Sequence, residues 1–411
     1  MSPSQSRFFA LSRAELAIMV PELLLIGQLI DRSGMAWCIQ SFGRSEMLQI
    51  AIEEWAGASP LYTRRMQKAL RFSGDDVITI FKGLQLDIGA PPQFMDFRYT
   101  VHDRWHGEFH LDHCGALLDV EPMGPDYVQG MCHDIEDPTF DATAVATNPR
   151  AQVRPIHRPP RTPVDRKPHC AWTVIIDESY PEARSIPALD IVARTEAAMW
   201  ELAPIDPSDD GNADYSGPLL SDFDFAAFSH SALVRIADEV CLQMHMLNLS
   251  FGIAVRARAG DNIELATSIC TKQLTGIAGV AAERIQRALK LPPNIDGLTE
   301  VLRLHPMLNP SGYVVAEIAG GHLLVHPSPA HDDGAWIALC SPASTGPLQA
   351  IATAVDPRIV VRVEGTDTDW TAEFERTDTA QKISPEVEVT KFSLGATFEF
   401  EPRRSLPLTV V

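Results

Sequence analysis

Apolar residues recur at helical spacing through much of the first ninety residues. Leu23, Leu24, Ile26, Leu29 and Ile30 follow this spacing, and the pattern continues at 45–56, 60–71 and 75–88. Residues 94–101 alternate between apolar and polar side chains, and 172–176 form a short apolar run, as strands do. The pattern therefore predicts a group of helices followed by a sheet.

The same succession begins again after residues 204–221, a stretch rich in Pro, Asp, Gly and Ser that is typical of a linker. We predict helices at 230–257, 262–272, 276–290 and 347–355, and strands at 313–318, 322–325, 359–363 and 370–374. Residues 380–411 are expected to form a tail with two more strands.

These elements predict an α+β protein with two related halves. Each half is expected to have an N-terminal helical group followed by a small, mostly antiparallel sheet. The predicted organisation is an N-terminal domain at 1–203, a linker at 204–221 and a degenerate second copy at 222–411.

Short sequence matches support an internal duplication. At a constant offset of 219 residues, 65–70 (RMQKAL) matches 284–289 (RIQRAL), Gly115-Ala116 matches Gly334-Ala335, and Asp137-Pro138 matches Asp356-Pro357. On this alignment the second copy lacks counterparts of Cys114, Cys132 and His133, so a polar site is expected only in the first half. Two unrelated α+β domains remain the alternative.

The composition of the chain limits which binding partners and which cellular compartment we expect for the protein. The net charge of −20 repels nucleic acids and anionic lipid, so a small-molecule substrate is the expected partner, and a homodimer is compatible with the sequence. The first apolar run contains Glu15, Pro21 and Glu22, so neither a signal peptide nor a membrane span is expected. Seven scattered cysteines predict reduced thiols and a cytoplasmic location. We find no glycine-rich phosphate loop and predict no nucleotide cofactor.

Residues 102–170 concentrate the side chains that bind metals and transfer protons. This window holds 7 of the 13 histidines and 3 of the 7 cysteines. A divalent metal, zinc first and iron second, is a candidate cofactor, and a metal-free Cys-His-Asp nucleophile is the open alternative. The candidate metal ligands are His106, His110, His113, Cys114, Cys132, His169 and Cys170.

Catalytic roles fall to residues beside these ligands. A helix predicted at 124–133 ends in Cys132 and His133, and Asp134 and Glu108 are candidate general bases. Residues 148–168 are rich in Pro and Arg and predict an extended arm. On that arm Arg158 and Arg161, with His157, could hold a substrate carboxylate, or the arm could pin the two halves together through ion pairs.

The order strand, Cys, helix ending in Cys-His, nearby Asp, Arg-containing stretch and late Cys before a strand resembles the L-2-amino-thiazoline-4-carboxylic acid hydrolase family. The resemblance covers roughly residues 40–178, and its motif positions are Cys114, Cys132, His133, Asp134 or Asp137, and Cys170. The late Cys and closing strand also look like the small ligand-binding vinyl-reductase type of domain. Members of the hydrolase family are usually a single copy of about half this length, and they lack the HRPPR arm (residues 157–161).

The resemblance implies hydrolysis of a C–N bond in a small amide or cyclic amidine. Two other classes fit the same residues. One is a non-haem iron oxygenase or lyase that uses the histidine-rich cluster, and the other is a non-catalytic sensor of a small ligand.

Overall fold

In a computed structural model that describes residues 5–411, the first half begins with helices and ends with a sheet. A π-helical turn, Gly130–Ile135, joins the helices Pro125–Gln129 and Glu136–Ala144. The elements are α1 (Arg13–Phe42), α2 (Arg44–Ala56), α3 (Ser59–Ala69), α4 (Val77–Leu84), β1 (Met95–Val101), β2 (His106–Cys114), α5 (Gly115–Val120), α6 (Pro125–Gln129), α7 (Glu136–Ala144), β3 (Ala151–His157), β4 (Cys170–Ile176), α8 (Pro187–Val192) and α9 (Glu196–Met199).

The second half repeats this succession in a shorter form. In the two halves together, short 3₁₀ turns lie at Arg7–Ala10, Glu121–Met123, Phe225–Ala227, Pro306–Leu308, Trp336–Leu339 and Leu394–Ala396. The regular elements are α10 (His230–Ala259), α11 (Ile263–Ala288), α12 (Ile295–Leu304), β5 (Ala316–Ala319), β6 (His322–Val325), α13 (Pro329–Asp333), α14 (Gly346–Val355), β7 (Ile359–Gly365), β8 (Trp370–Arg376) and α15 (Pro385–Thr390).

The two sheets have the same topology. The strand orders are β1-β2-β4-β3 and β5-β6-β8-β7, and every pairing within them is antiparallel. Trp172 on β4 and Trp370 on β8 are both buried. The expected α+β class with two related halves is confirmed.

The first and last residues of the long helices in one half correspond to those in the other half. α1 and α10 both have 30 residues, begin at a serine cap (Ser12 and Ser229) and end at a glycine with positive φ (Gly43 and Gly260). The helices that end at Ala69 and Ala288 are each followed by Leu and then by a basic residue at φ 53°, Arg71 and Lys290. These pairs give an alignment of the halves that is based on structure.

The long helix of each half packs extensively on helices of the other half. α1 packs mainly on α11, and α10 packs on α2 and α3. An ion pair joins Arg65 to Glu239 at 2.9 Å, and its counterpart joins Arg284 to Glu22 at 2.6 Å. One apolar core consequently runs through both halves.

Several local sequence predictions are wrong. The helices expected at 262–272 and 276–290 are one helix, α11. Gly276 does not break this helix: a Cβ there would lie 2.4 Å from Thr390 Oγ1, so glycine permits the close packing of α15. The tail contains α15 and a 3₁₀ turn instead of two strands. The segment 124–133 is α6 plus part of the π turn, and the expected arm begins with β3.

Two of the three sequence matches do not mark equivalent positions. Gly115 follows β2 directly, whereas Gly334 lies beyond α13. Asp137 lies in the first turn of α7, whereas Asp356 follows α14. The loops between sheet strands differ in length, so the offset that relates Ala69 to Ala288 does not extend into the sheets.

Residues 204–221 pack against the first half. Tyr215 is buried, its hydroxyl donates to Gln85 at 2.6 Å, and the Lys82 ammonium donates to the carbonyl oxygens of Tyr215 and Gly217. Among the described helices, none combines the length and the apolar character required to cross a bilayer.

Candidate functional site

Strand β2 places its histidines on the outer face of the first sheet. His106, Glu108 and His110 are partly exposed and alternate with the buried Gly107 and Phe109. His110 Nε2 lies 3.4 Å from Asp112 on the same strand. The alternation expected of a half-buried strand therefore directs these polar residues away from the core.

The three cysteines of the window lie on the buried side. Cys114, Cys132 and Cys170 are all nearly inaccessible to solvent, and all seven cysteines are free thiols. Burial raises the pKa of Cys114 to about 12, and burial followed by the charge of Glu136 raises the pKa of Cys132 and of Cys170 still further. Cys114 Sγ caps α5 by accepting from the Leu117 N–H at 3.4 Å. These environments disfavour a thiolate at neutral pH.

His113, near the end of β2, and His169, which directly precedes β4, form a separate pair. Their ring centroids are 6.2 Å apart, and His113 Nδ1 lies 2.9 Å from the carbonyl oxygen of Phe94. Burial, with added repulsion from Arg161 and His113, lowers the pKa of His169 to about 4. His169 is therefore a neutral imidazole at physiological pH.

The HRPPR arm is held against the helical segment that precedes it. A ring nitrogen of His133 lies 2.6 Å from the Pro159 carbonyl oxygen, Arg158 pairs with Asp137, and Arg161 binds both oxygens of Glu121. Both guanidinium groups are thus engaged within the first half.

The remaining predicted residues lie towards solvent. His157 at the end of β3 is partly exposed, and burial followed by the charge of Arg166 lowers its pKa. Asp134 is exposed on the π turn. Neither residue lines the cavity described next.

The seven candidate metal ligands do not come together as one set. Among residues 5–411, the one group of three or more His, Cys, Asp or Glu side chains with metal-ligand spacing is His102, His106 and Glu108, whose donor atoms all lie within 4.8 Å of one another. His106 is the only member of the predicted metal set in this group.

Next to the buried cysteines lies a small cavity of ≈ 70 Å³ lined by charged groups. We call it the inner cavity. Asp31, Arg32, Asp87 and Glu136 line it, together with the apolar side chains of Met95 and Phe97. The π turn brings Met131 and Ile135 to the wall and places Glu136 at the start of α7. Such turns inside helices often occur at functional sites.

The carboxyl groups of Glu136 and Asp87 are strongly perturbed. Burial and the charge of Asp137 raise the pKa of Glu136 to about 8. Burial raises the pKa of Asp87 to about 6, although its Oδ1 accepts from Tyr62 at 2.8 Å and from the Gly89 N–H at 2.7 Å. Glu136 is therefore mostly protonated at pH 7 and can give or take a proton near that pH.

Asp31 and Glu54 form a second pair of acids around Arg32. Arg32 Nη1 lies 2.8 Å from Asp31 Oδ2, and its Nε lies 3.4 Å from Asp119. Burial raises the pKa of Asp31, and burial with the charge of Asp31 raises that of Glu54 well above its usual range. Neither oxygen of Glu54 has a hydrogen bond of normal geometry among the described residues, although Gln273 lies close enough to lower its pKa in part.

The inner cavity adjoins a larger cavity of ≈ 410 Å³, which we call the outer cavity. Asp31, Arg32, Met131 and Ile135 belong to the walls of both. The outer cavity is mainly apolar, and Phe392, 83% exposed, lies on its wall. Its volume falls in the range of small-molecule sites, and its charged residues lie at the boundary with the inner cavity and at Arg44, Asp119 and Asp126.

The second half replaces these charges by neutral groups. The alignment of α1 with α10 and of α2 with α11 places Asn248 at the position of Asp31, Gln273 at that of Glu54 and Leu249 at that of Arg32. Asn248 Nδ2 donates to Gln273 Oε1 at 3.2 Å. The same packing is thus compatible with amides, so the acids of the first half are not required by the fold.

A larger cavity, of ≈ 860 Å³, lies elsewhere, between α1, residues 221–226 and residues 398–405. Among its carboxylates, Asp96 and Asp222 form ion pairs with Arg98 and Arg403 at 2.6–3.4 Å. Burial raises the pKa of Glu22 on the same wall, and Glu22 pairs with Arg284 at 2.6 Å. We therefore place the candidate site at the inner and outer cavities, where perturbed carboxyl groups meet a substrate-sized space.

The pattern-based reasoning did not identify Asp31, Arg32, Glu54 and Asp87. The sequence feature that could have indicated Asp31, Arg32 and Glu54 is the presence of charged residues within apolar helical segments, LLLIGQLIDR and AIEEWAG. Comparisons with protein families, curated proteins and solved structures find no match to this chain.

Proposed function

We propose that this chain is a small-molecule hydrolase that cleaves a C–N bond by acid–base catalysis in the first half. The observation that supports it most is Glu136, a carboxyl group with a pKa of about 8 beside the Asp31–Arg32 pair, at the end of an apolar cavity. A protonated acid and an ionised acid in one site are the two groups that amide or amidine hydrolysis requires.

In the proposed reaction, Asp31 takes a proton from water as the oxygen adds to the carbon of the substrate. Glu136 gives its proton to the nitrogen as the C–N bond breaks. Asp31 leaves the cycle protonated and Glu136 ionised, and the proton returns to Glu136 before the next turnover. Burial raises the pKa of Asp31, and the charge of Arg32 opposes this effect and so favours the ionised form that the proposed base requires.

The outer cavity suggests the class of substrate. Its apolar wall suits a compact apolar body, and Arg44 on that wall, paired with Asp126 at 3.2 Å in an exposed position, can exchange its partner for a substrate carboxylate. This proposal assigns the carboxylate to Arg44 instead of Arg158 or Arg161, since those two are paired with Asp137 and Glu121.

The proposal needs no thiolate, since burial keeps Cys114 and Cys132 protonated. We also propose a cytoplasmic location, which the seven free cysteines support.

The test is turnover of a panel of small amides and cyclic amidines, with and without a carboxylate, in ¹⁸O-labelled water. Mass spectrometry follows the product. We expect one labelled oxygen in the product, in the acid formed from an amide or in the amide formed from an amidine, and a loss of about 100-fold in kcat for Glu136→Gln. The matched control is Asp134→Asn, an exposed acid two residues away that should retain activity.

Two results would contradict the proposal. One is full activity in Glu136→Gln, and the other is product without label from solvent. Activity that depends on Cys132 and not on Glu136 would favour the thiolate alternative.

A further inference from the structure

The hairpin between β1 and β2 carries two imidazoles and a carboxylate in a compact group. His102 Nε2 lies 3.2 Å from Glu108 Oε1, and the rings of His102 and His106 are 4.6 Å apart between centroids. All three donor atoms lie within 4.8 Å of one another. The donors of a tetrahedral zinc ion are about 3.3 Å apart, so one of these spacings already matches and the others need small side-chain rotations.

The backbone that carries these residues is held in place by hydrogen bonds. The N–H groups of His102 and Asp103 donate to the His106 carbonyl oxygen at 3.0 and 3.1 Å. Asp103 Oδ1 accepts from the N–H groups of Trp105 and His106 at 2.7 and 3.0 Å. Binding would therefore require the ordering of side chains only, which limits its entropic cost.

We infer that His102, His106 and Glu108 form a binding site for one divalent transition-metal ion. Two imidazoles and one carboxylate favour zinc, cobalt or nickel over magnesium or calcium, which prefer oxygen ligands. Each ligand side chain is partly exposed, so the ion can enter from solvent and keep water at its remaining positions.

This site is independent of the proposed active site. Glu108 and His106 alternate with Phe109 and Gly107 along β2, so they lie on the face of the sheet opposite to the core and to the inner cavity. The ion would bridge the hairpin loop and β2, next to the hydrogen bond from the Ile176 N–H to the Trp105 carbonyl oxygen. Its expected effect is to stabilise this end of the first sheet.

The second half supplies an internal comparison. Its equivalent hairpin turns through Gly320 and Gly321. The imidazole–carboxylate pairs there hold one histidine each: His322 lies 3.8 Å from Glu373, and His326 lies 3.3 Å from Asp369 and 3.8 Å from Glu317. The long hairpin that brings two histidines together is a feature of the first half alone.

The test is binding of cobalt and zinc to the full chain, prepared without a histidine tag, by equilibrium dialysis and by the visible spectrum of bound cobalt. We expect one equivalent in the wild type, and at least tenfold weaker binding in His102→Ala/His106→Ala. The control His322→Ala/His326→Ala removes two imidazoles from the second sheet and should bind as the wild type does. Magnesium should not compete.

Zinc should also raise the thermal unfolding midpoint of the wild type and of the control, and should not raise that of the double variant. Glu108→Gln, which keeps both imidazoles, is the second variant if His102→Ala/His106→Ala does not fold, and should bind zinc more weakly. Absence of one bound equivalent in the wild type, or equal binding by wild type and both site variants, would overturn the inference.

Discussion

Asp31 on α1 occupies the position that Asn248 occupies on α10. The neighbouring acid Glu54 has the amide Gln273 as its counterpart. An acid buried beside another acid costs stability when it ionises, and an amide of the same shape does not. The first half therefore retains a costly pair that the second half shows to be dispensable for packing, which is the pattern expected where stability has been exchanged for chemistry.

Glu54→Gln should stabilise the protein. Because burial raises the pKa of Glu54 in the folded state, that state holds its proton more tightly than the unfolded chain, and ionisation costs stability as the pH rises above the unfolded value. We expect a gain of about 1 kcal/mol or more in the free energy of unfolding at pH 8, and a smaller gain at pH 5. Urea titrations at both pH values measure it.

The reverse change is the control for this prediction. Gln273→Glu introduces a further acid beside Glu54 and should destabilise the protein at pH 8. If Glu54→Gln is destabilising at pH 8, the buried acid is stabilised by a partner that the contacts described above do not include.

Glu136 should leave its own signature in the pH dependence of stability. Its pKa is raised from about 4.5 to about 8, so the folded state binds one more proton than the unfolded chain between these values. Stability of the wild type should therefore fall, relative to Glu136→Gln, as the pH rises from 4.5 to 8. Chemical denaturation across this range tests the sign, and Asp134→Asn, which changes an exposed acid, should run parallel to the wild type.

The cysteines should be inert in the native state. Each of the seven is buried, and burial raises the pKa of the thiols at Cys114 and Cys132. At pH 7.5 we expect a colorimetric disulfide reagent to react only on the timescale of unfolding, and to detect seven thiols in denaturant. A single cysteine that reacts within seconds in the folded protein would restore the nucleophile alternative.

The two equivalent ion pairs, Arg65–Glu239 and Arg284–Glu22, should contribute unequally to the free energy of unfolding. Arg284 is completely buried, whereas the Arg65 side chain keeps slight exposure. Removal of one partner from a buried pair costs about 3–5 kcal/mol, so Arg284→Ala should destabilise strongly and Arg65→Ala less. Double-mutant cycles with Glu22→Ala and Glu239→Ala measure the coupling, and equal coupling in both pairs would contradict the expected effect of burial.

The outline of the fold was predictable because helical spacing and strand alternation recur in the same order in both halves. The helices at 45–56 and 230–257 and the strands at 322–325 and 370–374 lie where the pattern placed them, with small shifts at their ends. Predictions failed where tertiary contact overrides local signals. Gly276 continues a helix because Thr390 packs against it, and the tail is shaped by what it covers.

The candidate site was less predictable than the fold. Side chains that carry recognisable chemistry, such as His110 and Cys132, drew the prediction to residues 102–170, and that window does contribute Glu136. Asp31 lies in a helix that is apolar almost all round, so periodicity could not show which face met a cavity. Glu54 lies in α2 beside Glu53, and the sequence did not show which of these two acids is buried. Only the structural alignments of α1 with α10 and of α2 with α11 pair each acid with an amide. The catalytic and metal-binding roles assigned from sequence to the remaining residues stay predictions.

The exchange of helices between halves has a consequence for how the chain can be divided. A polypeptide cut within 204–221 should yield two fragments that are each deprived of the helices they pack on, so neither is expected to fold in isolation. When the two fragments are mixed, they should reassemble as a heterodimer whose interface contains the Arg65–Glu239 and Arg284–Glu22 ion pairs. Such behaviour is that of a symmetric pair fused into one polypeptide, in which one member has become free to diverge while the other keeps the buried acids.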